Sequence, residues 1–366
     1  MRHPATPPQP FNDLPLLTAS TELQSPQLMS LCDEVQQQLD ALDQLIRRQE
    51  SNSTLIAGLL LPEAQYNACG ARQLSLQQLL YDLGPAAEPS DTGLSAIRYH
   101  QALCEGLQLI RRRTLCTATA IQVNHILTRS EPWVRFQPGP PLTHNSGSPQ
   151  IFYVPPEGED RLRSKLGNWE VFMHDFADIH PLIRMAVGHA QFIAISPFTA
   201  GNVRCAHILS QLYLLDKGLL SKPALLLSIP LLNQRESYER HFIGAIHHQQ
   251  WQPWIHWLLE QLLDSIRLST QLLQEIGQLW NDYETRCREL LPAALHPAML
   301  EQLFETPDCT AELLLDNLID NPQQVMDCLA TLCHHDLLRQ HESGKQVLYR
   351  NWRLVDIIDQ VSGHSS

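Results

Sequence analysis

From Ser25 to about Arg48, apolar residues recur at three- and four-residue steps: Leu28, Leu31, Val35, Leu39, Leu42 and Ile46. That is the spacing of one helical face. Similar patterns predict helices over 53–61, 74–83, 95–109 and 114–127, and two prolines among polar residues predict a loop over 84–93. Seven prolines between Glu131 and Glu159 then interrupt the pattern. Within that stretch Gln150, Ile151, Phe152, Tyr153 and Val154, β-branched or aromatic from Ile151 onward, form the best strand candidate, which Pro155 and Pro156 stop. A short hairpin on a helical protein is predicted.

A helix over 161–176 follows. Pro181 opens another over 182–195, at the first-turn position where a missing N–H costs nothing. This helix is apolar nearly all round, so it belongs at the centre of a bundle. A short break, Ser196–Gly201, leads to a second mostly apolar helix, Asn202–Leu215. Later helices run to about Leu290, with Trp251, Trp254 and Trp257 read as packing. The last 75 or so residues read as three helices and a hairpin around Ser343 and Gly344, the pattern of a winged helix. The fold class expected is mainly α: a helical bundle with a small β-hairpin and a C-terminal winged-helix domain. The domains expected are an N-terminal arm and helical region at 1–94, a core at 95–288 and the winged helix at 289–366.

Length and a 43% hydrophobic content allow a sizeable core. A net charge of −13 argues against a dedicated nucleic-acid binder. Nine irregularly spaced cysteines without a CxxC pair read as reduced thiols, not a disulfide framework or zinc site. The start of the chain lacks the apolar region of a signal peptide, and no apolar run reaches membrane-spanning length. A soluble cytoplasmic protein is expected.

The chemistry concentrates in Ser196-Pro-Phe-Thr-Ala-Gly-Asn-Val-Arg-Cys-Ala-His207. Gly201 and Asn202 open a helix, so backbone N–H groups and the positive dipole end face the loop, and Arg204 lies in the first turn. This is either an anion site or a plain turn between core helices. The segment resembles the Fic (fido) motif H-P-F-x-[D/E]-G-N-G-R-x-x-R, matching at Pro197, Phe198, Gly201, Asn202 and Arg204. The preceding His189-Ala-Gln-Phe192-Ile-Ala-Ile195 resembles the family's buried-helix phrase. The resemblance extends over nearly the whole chain and implies a Fic bundle related to AMP-transferases that use ATP. It implies nucleotide contacts at Gly201, Asn202, Arg204 and Tyr238. It also makes the hairpin carrying Gln150–Val154 a flap that holds the target segment by strand addition.

Four motif positions depart. The general-base histidine is Ser196, which has no useful basicity near neutral pH. The Mg²⁺-holding acid is Ala200, the second glycine is Val203, whose β-branched side chain crowds the phosphates and resists positive φ, and the final arginine is His207, at best a half-charged substitute. The family's inhibitory motif survives only as Ser53, Ala57 and Gly58, with alanine in place of glutamate. His189 reads as a core histidine, Cys205 as inert, and the His247-His248 and His334-His335 pairs as surface residues. The expectation is a pseudoenzyme that binds ATP weakly, holds no Mg²⁺, and pairs with a protein target, an active Fic relative or a second copy of itself. The alternatives are a transferase of divergent chemistry and a winged-helix transcriptional regulator. Residues 291–366 carry four Lys/Arg and eleven Asp/Glu, a net of 4 − 11 = −7, which disfavours DNA.

Overall fold

The computed structural model describes residues 9–18, 23–48, 60–67, 76–83, 88–144, 150–292, 296–318, 321–343 and 346–361. They form two compact units.

The first comprises Met1–Asp40, Arg98–Ser221 and Pro230–Asp264. Helix α1 (Pro26–Arg48) begins in it and buries Leu28, Cys32, Val35 and Leu39 there. Residues 9–18 are an irregular arm with a turn at Asn12 and Asp13, fastened by backbone and side-chain hydrogen bonds. Leu17 N donates to Asn168 Oδ1 at 2.7 Å, and Gln191 Nε2 donates to the Pro15 carbonyl at 2.8 Å. Helices α5 (Thr117–Thr128), α6 (Glu159–Asp175), α7 (Pro181–Ile195), α8 (Asn202–Asp216) and α10 (Arg235–His248) make the bundle. In α7 every residue from Leu182 to Ile195 is buried, the consequence of its apolar circumference. Trp169 and Trp254 pack on it and donate their indole N–H groups to Gly188 and Ala186 carbonyls at 3.0 and 2.7 Å.

The flap is β1 (Leu142–Thr143) paired antiparallel with β2 (Ile151–Tyr153), with an irregular register. The strand is three residues, shorter than the Gln150–Val154 span expected from composition. Gln150 still pairs through its carbonyl with His144 N at 2.9 Å, but the Val154 carbonyl is taken by Phe11 N of the arm, also at 2.9 Å.

The second unit comprises Ala41–Ile97, Lys222–Ile229 and Ser265–Ser366. It contains α2 (described over 60–67), α3 (Leu76–Leu83), the start of α4 (Asp91–Ile110), the start of α9 (Ser228–Asn233) and the later part of α11 (Trp251–Leu290). The expected loop at 84–93 ends sooner than composition suggested. Ser90 Oγ accepts from Gly93 N at 3.0 Å and starts α4 at Asp91. The C-terminal part runs α12 (His296–Glu305), β3 (Asp308–Cys309), α13 (Ala311–Leu318), α14 (Pro322–His334), β4 (Arg339–Ser343), β5 (Gln346–Arg350) and α15 (Trp352–Val361), with an antiparallel sheet ordered β3-β5-β4. Asn321 caps α14 through its Oδ1, and Pro322 occupies the first turn. Among the described residues no helix is long and apolar enough to cross a membrane.

Candidate active site

The motif loop joins α7 to α8. Ser196 ends α7 in the left-handed region at φ 44°, with its backbone N–H bonded to the Phe192 carbonyl. Its hydroxyl is buried and donates to the Ile193 carbonyl at 2.8 Å. The residue in the base position is therefore turned back onto its own helix. Gly201 also has positive φ, 76°, and a Cβ there would lie 2.6 Å from Thr128 Cγ2. Only glycine fits. Asn202 closes the loop on itself: Phe198 N donates to its Oδ1 at 2.9 Å, and its Nδ2 donates to the Phe198 carbonyl at 2.8 Å. Phe198 and Pro197 are buried, while Thr199 and Ala200 are exposed.

Arg135 lies beneath this loop and is almost wholly buried. Its Nε donates to the Ser196 carbonyl at 2.7 Å and its Nη2 to the Pro156 carbonyl at 2.6 Å. Its own backbone N–H donates to the Pro197 carbonyl at 2.9 Å. Asn124 Nδ2 reaches the Ala200 carbonyl at 2.9 Å. Neither Arg135 nor Asn124 stood out in the sequence. The available signal was a charged residue between the apolar residues of Trp133-Val-Arg-Phe136, a weak one because Trp133 and Phe136 are themselves exposed.

Charge is sparse along the loop and the first turn of α8. Ala200, standing where the resembled motif has an acid, carries only a methyl group. Val203 sits inside the first turn of α8 without positive φ, so it imposes no backbone strain there. Arg204 is partly exposed; burial lowers its pKa, Tyr99 opposes that and Arg98 reinforces it. An arginine remains charged through such a shift. His207 corrects the sequence reading. It is a buried residue of α8 itself, stacked on His189 at 5.7 Å and 11°, and burial pushes its pKa down to about 4. It is neutral near pH 7 and is no half-charged stand-in for arginine.

His189 is a satisfied core histidine, 2.9 Å from Ser210 Oγ and 3.1 Å from the Tyr238 hydroxyl. Tyr238, half-buried, packs edge-on against the buried Trp254 and Trp257. Cys205 is fully buried, and burial raises its pKa, the opposite of an activated thiol. In the flap, Tyr153 is buried and donates to the Ala194 carbonyl at 2.9 Å, Phe152 is half-buried and Ile151 is exposed. Ser53, Ala57 and Gly58 lie outside the described residues.

Residues 111–214 match the model of the Fic/DOC family. A Fic family protein from Desulfovibrio desulfuricans G20 is similar in structure, with a TM-score of 0.56, 14% identity, and coverage of 89% of this chain and 96% of that one. Two further solved structures are similar at lower scores. A Fic domain containing signaling protein from Bacteroides thetaiotaomicron VPI-5482 has a TM-score of 0.49 and 15% identity, covering 67% of this chain and 97% of its own. Fic-1 from C. elegans has a TM-score of 0.46 and 16% identity, covering 69% and 73%. The fold assignment rests on the first of these structures, and the motif loop with both of its helices falls in or beside the matched segment. Residues 111–214 are a Fic/DOC-family domain, and over the rest of the chain the likeness is one of fold.

Proposed function

We propose that this chain is a Fic-fold binding protein that no longer transfers AMP and instead engages a protein target or partner. One observation carries the reading: at the base position Ser196 is buried with its hydroxyl committed to the Ile193 carbonyl. No proton acceptor is presented to an incoming hydroxyl there. The residues present fit Mg-ATP badly. Ala200 offers no metal ligand, the Asn202 side chain is spent on the loop, and His207 is neutral in the core. What remains for a nucleotide is the opening of α8 with Arg204, so binding is weak. The exposed flap residue Ile151 and the β2 edge favour an extended protein segment as the main ligand.

The C-terminal order of helices and strands reads as a winged helix. The exposed face of α14, with Gln323, Met326, Asp327, Ala330 and His334, carries no Lys or Arg. This supports a protein contact over DNA. The decisive experiment incubates the folded full-length chain with α-labelled ATP, Mg²⁺ and a cell lysate. No label on any protein is expected; robust transfer, abolished by Arg204→Ala, overturns the reading.

A further inference from the structure

The flap is too small to hold itself. Its strands are two and three residues long, and a hairpin of that size is unstable alone. Its base near Tyr153 is anchored, because that hydroxyl reaches the Ala194 carbonyl and the ring packs edge-on against Phe242 at 5.5 Å. The opposite end, at Thr143 and His144, needs another support.

That support is a carboxylate on α10. Glu239 is buried, with a 9% exposed side chain. One of its oxygens, Oε2, is bonded to His144 Nδ1; the other, Oε1, accepts from Arg235 Nε at 3.0 Å. Arg235 then donates from Nη2 to the Thr143 carbonyl at 3.2 Å. The His144 ring packs on Phe152 at 4.8 Å. One carboxylate therefore touches β1's end directly, β1 again through Arg235, and β2 through the imidazole. Charge-assisted bonds of this kind are the strong ones, and here the carboxylate is buried while His144 and Arg235 remain partly exposed.

We propose that Glu239 is the positioning residue of the flap: with Arg235 and His144 it forms a clasp that fixes the β2 edge for an incoming segment. The second half of this statement rests on the docking reading above; the clasp itself does not.

The test is amide hydrogen exchange on the full chain in Glu239→Gln and His144→Phe. The phenylalanine keeps a ring against Phe152 and removes only the contact to the carboxylate. At unchanged α7 protection, exchange at 142–144 and 150–153 is expected to accelerate about 10-fold in Glu239→Gln and less in His144→Phe. Combining the two should add little, because both break one clasp. Unchanged flap exchange overturns the proposal. Should Glu239→Gln fail to fold, His144→Phe alone decides it: no acceleration there overturns the clasp. A photo-crosslinker at Ile151 separates the two layers. Faster exchange with cross-linking to targets equal to wild type keeps the clasp and removes its docking role.

Discussion

Arg135 donates from Nε to the Ser196 carbonyl at 2.7 Å, tying a loop sixty-one residues away in sequence to the motif's first position. The same guanidinium serves the carbonyls of Pro156 and Gln137, at 2.6 and 2.7 Å. Its replacement by methionine keeps much of the apolar volume and strands those acceptors. With two of them buried and each orphan worth about 1–3 kcal/mol, a loss of about 3 kcal/mol is expected. Urea unfolding of Arg135→Met checks this, and a midpoint equal to wild type refutes it. Arg135→Lys should recover only part, since one ammonium cannot copy the planar fork.

The stacked pair His189 and His207 makes stability depend on pH. Burial holds His207 at about 4 against an ordinary 6.5, and His189 is also lowered, first by burial and then by His207. Above about pH 6.5 both folded and unfolded chains keep these rings neutral, and they contribute no pH dependence. Between about 6.5 and about 4 only the unfolded chain takes up the protons, so stability falls as pH falls. For His207 alone the loss from pH 7 to pH 5 is about 2 kcal/mol. His207→Gln should flatten this part of the curve of urea midpoint against pH. A variant curve as steep as wild type would reject the assignment.

What the sequence made legible follows from local rules. The apolar circumference of 182–195 announced a central helix, and α7 is buried along its length. Pro181 and the break at Ser196 marked its ends within a residue. Glycine at 201 was legible too, because the motif demands it and the left-handed turn requires it. The fate of His207 was not. Residue type says only that histidine titrates near neutrality, whereas its charge is decided by α7 packing against α8. The flap clasp was equally hidden: Glu239 and His144 are ninety-five residues apart, and no periodicity relates them. Arg135 was missed because a proline-rich stretch reads as surface loop, yet this one threads beneath the motif.

Glu63 in α2 is a buried carboxylate of the second unit. Its carboxylate is fully buried and accepts from Ser228 N at 3.0 Å and from Ser228 Oγ at 2.6 Å, which holds the start of α9. Asn67 is bonded to the same hydroxyl. Glu63→Ala removes the carboxylate that accepts from both the amide and the hydroxyl of Ser228. A cost of about 3 kcal/mol is expected, read as a lower urea midpoint. Ser228→Ala removes the hydroxyl but keeps the amide, so it should cost about 1 kcal/mol. Equal effects of the two would show that the amide contact contributes little.

Restoring the motif separates a changed active site from a changed fold. Ser196→His is compatible with the backbone, since histidine tolerates the left-handed conformation better than most residues. Ala200→Asp falls on an exposed residue, and Val203→Gly restores the motif glycine at the cost of about 1 kcal/mol of helix propensity. His207→Arg differs, for it places a permanent charge in the core against His189. An unpaired buried charge costs several kcal/mol, so the quadruple variant should be markedly less stable than the triple variant carrying only the first three changes. The triple variant is expected to fold and to gain auto-AMP transfer, measured as label from α-labelled ATP on the chain itself. A folded triple variant that stays silent would place the decay beyond these three positions. The next place to look is then Tyr238, whose hydroxyl is bonded to His189 and whose ring packs edge-on against Trp254.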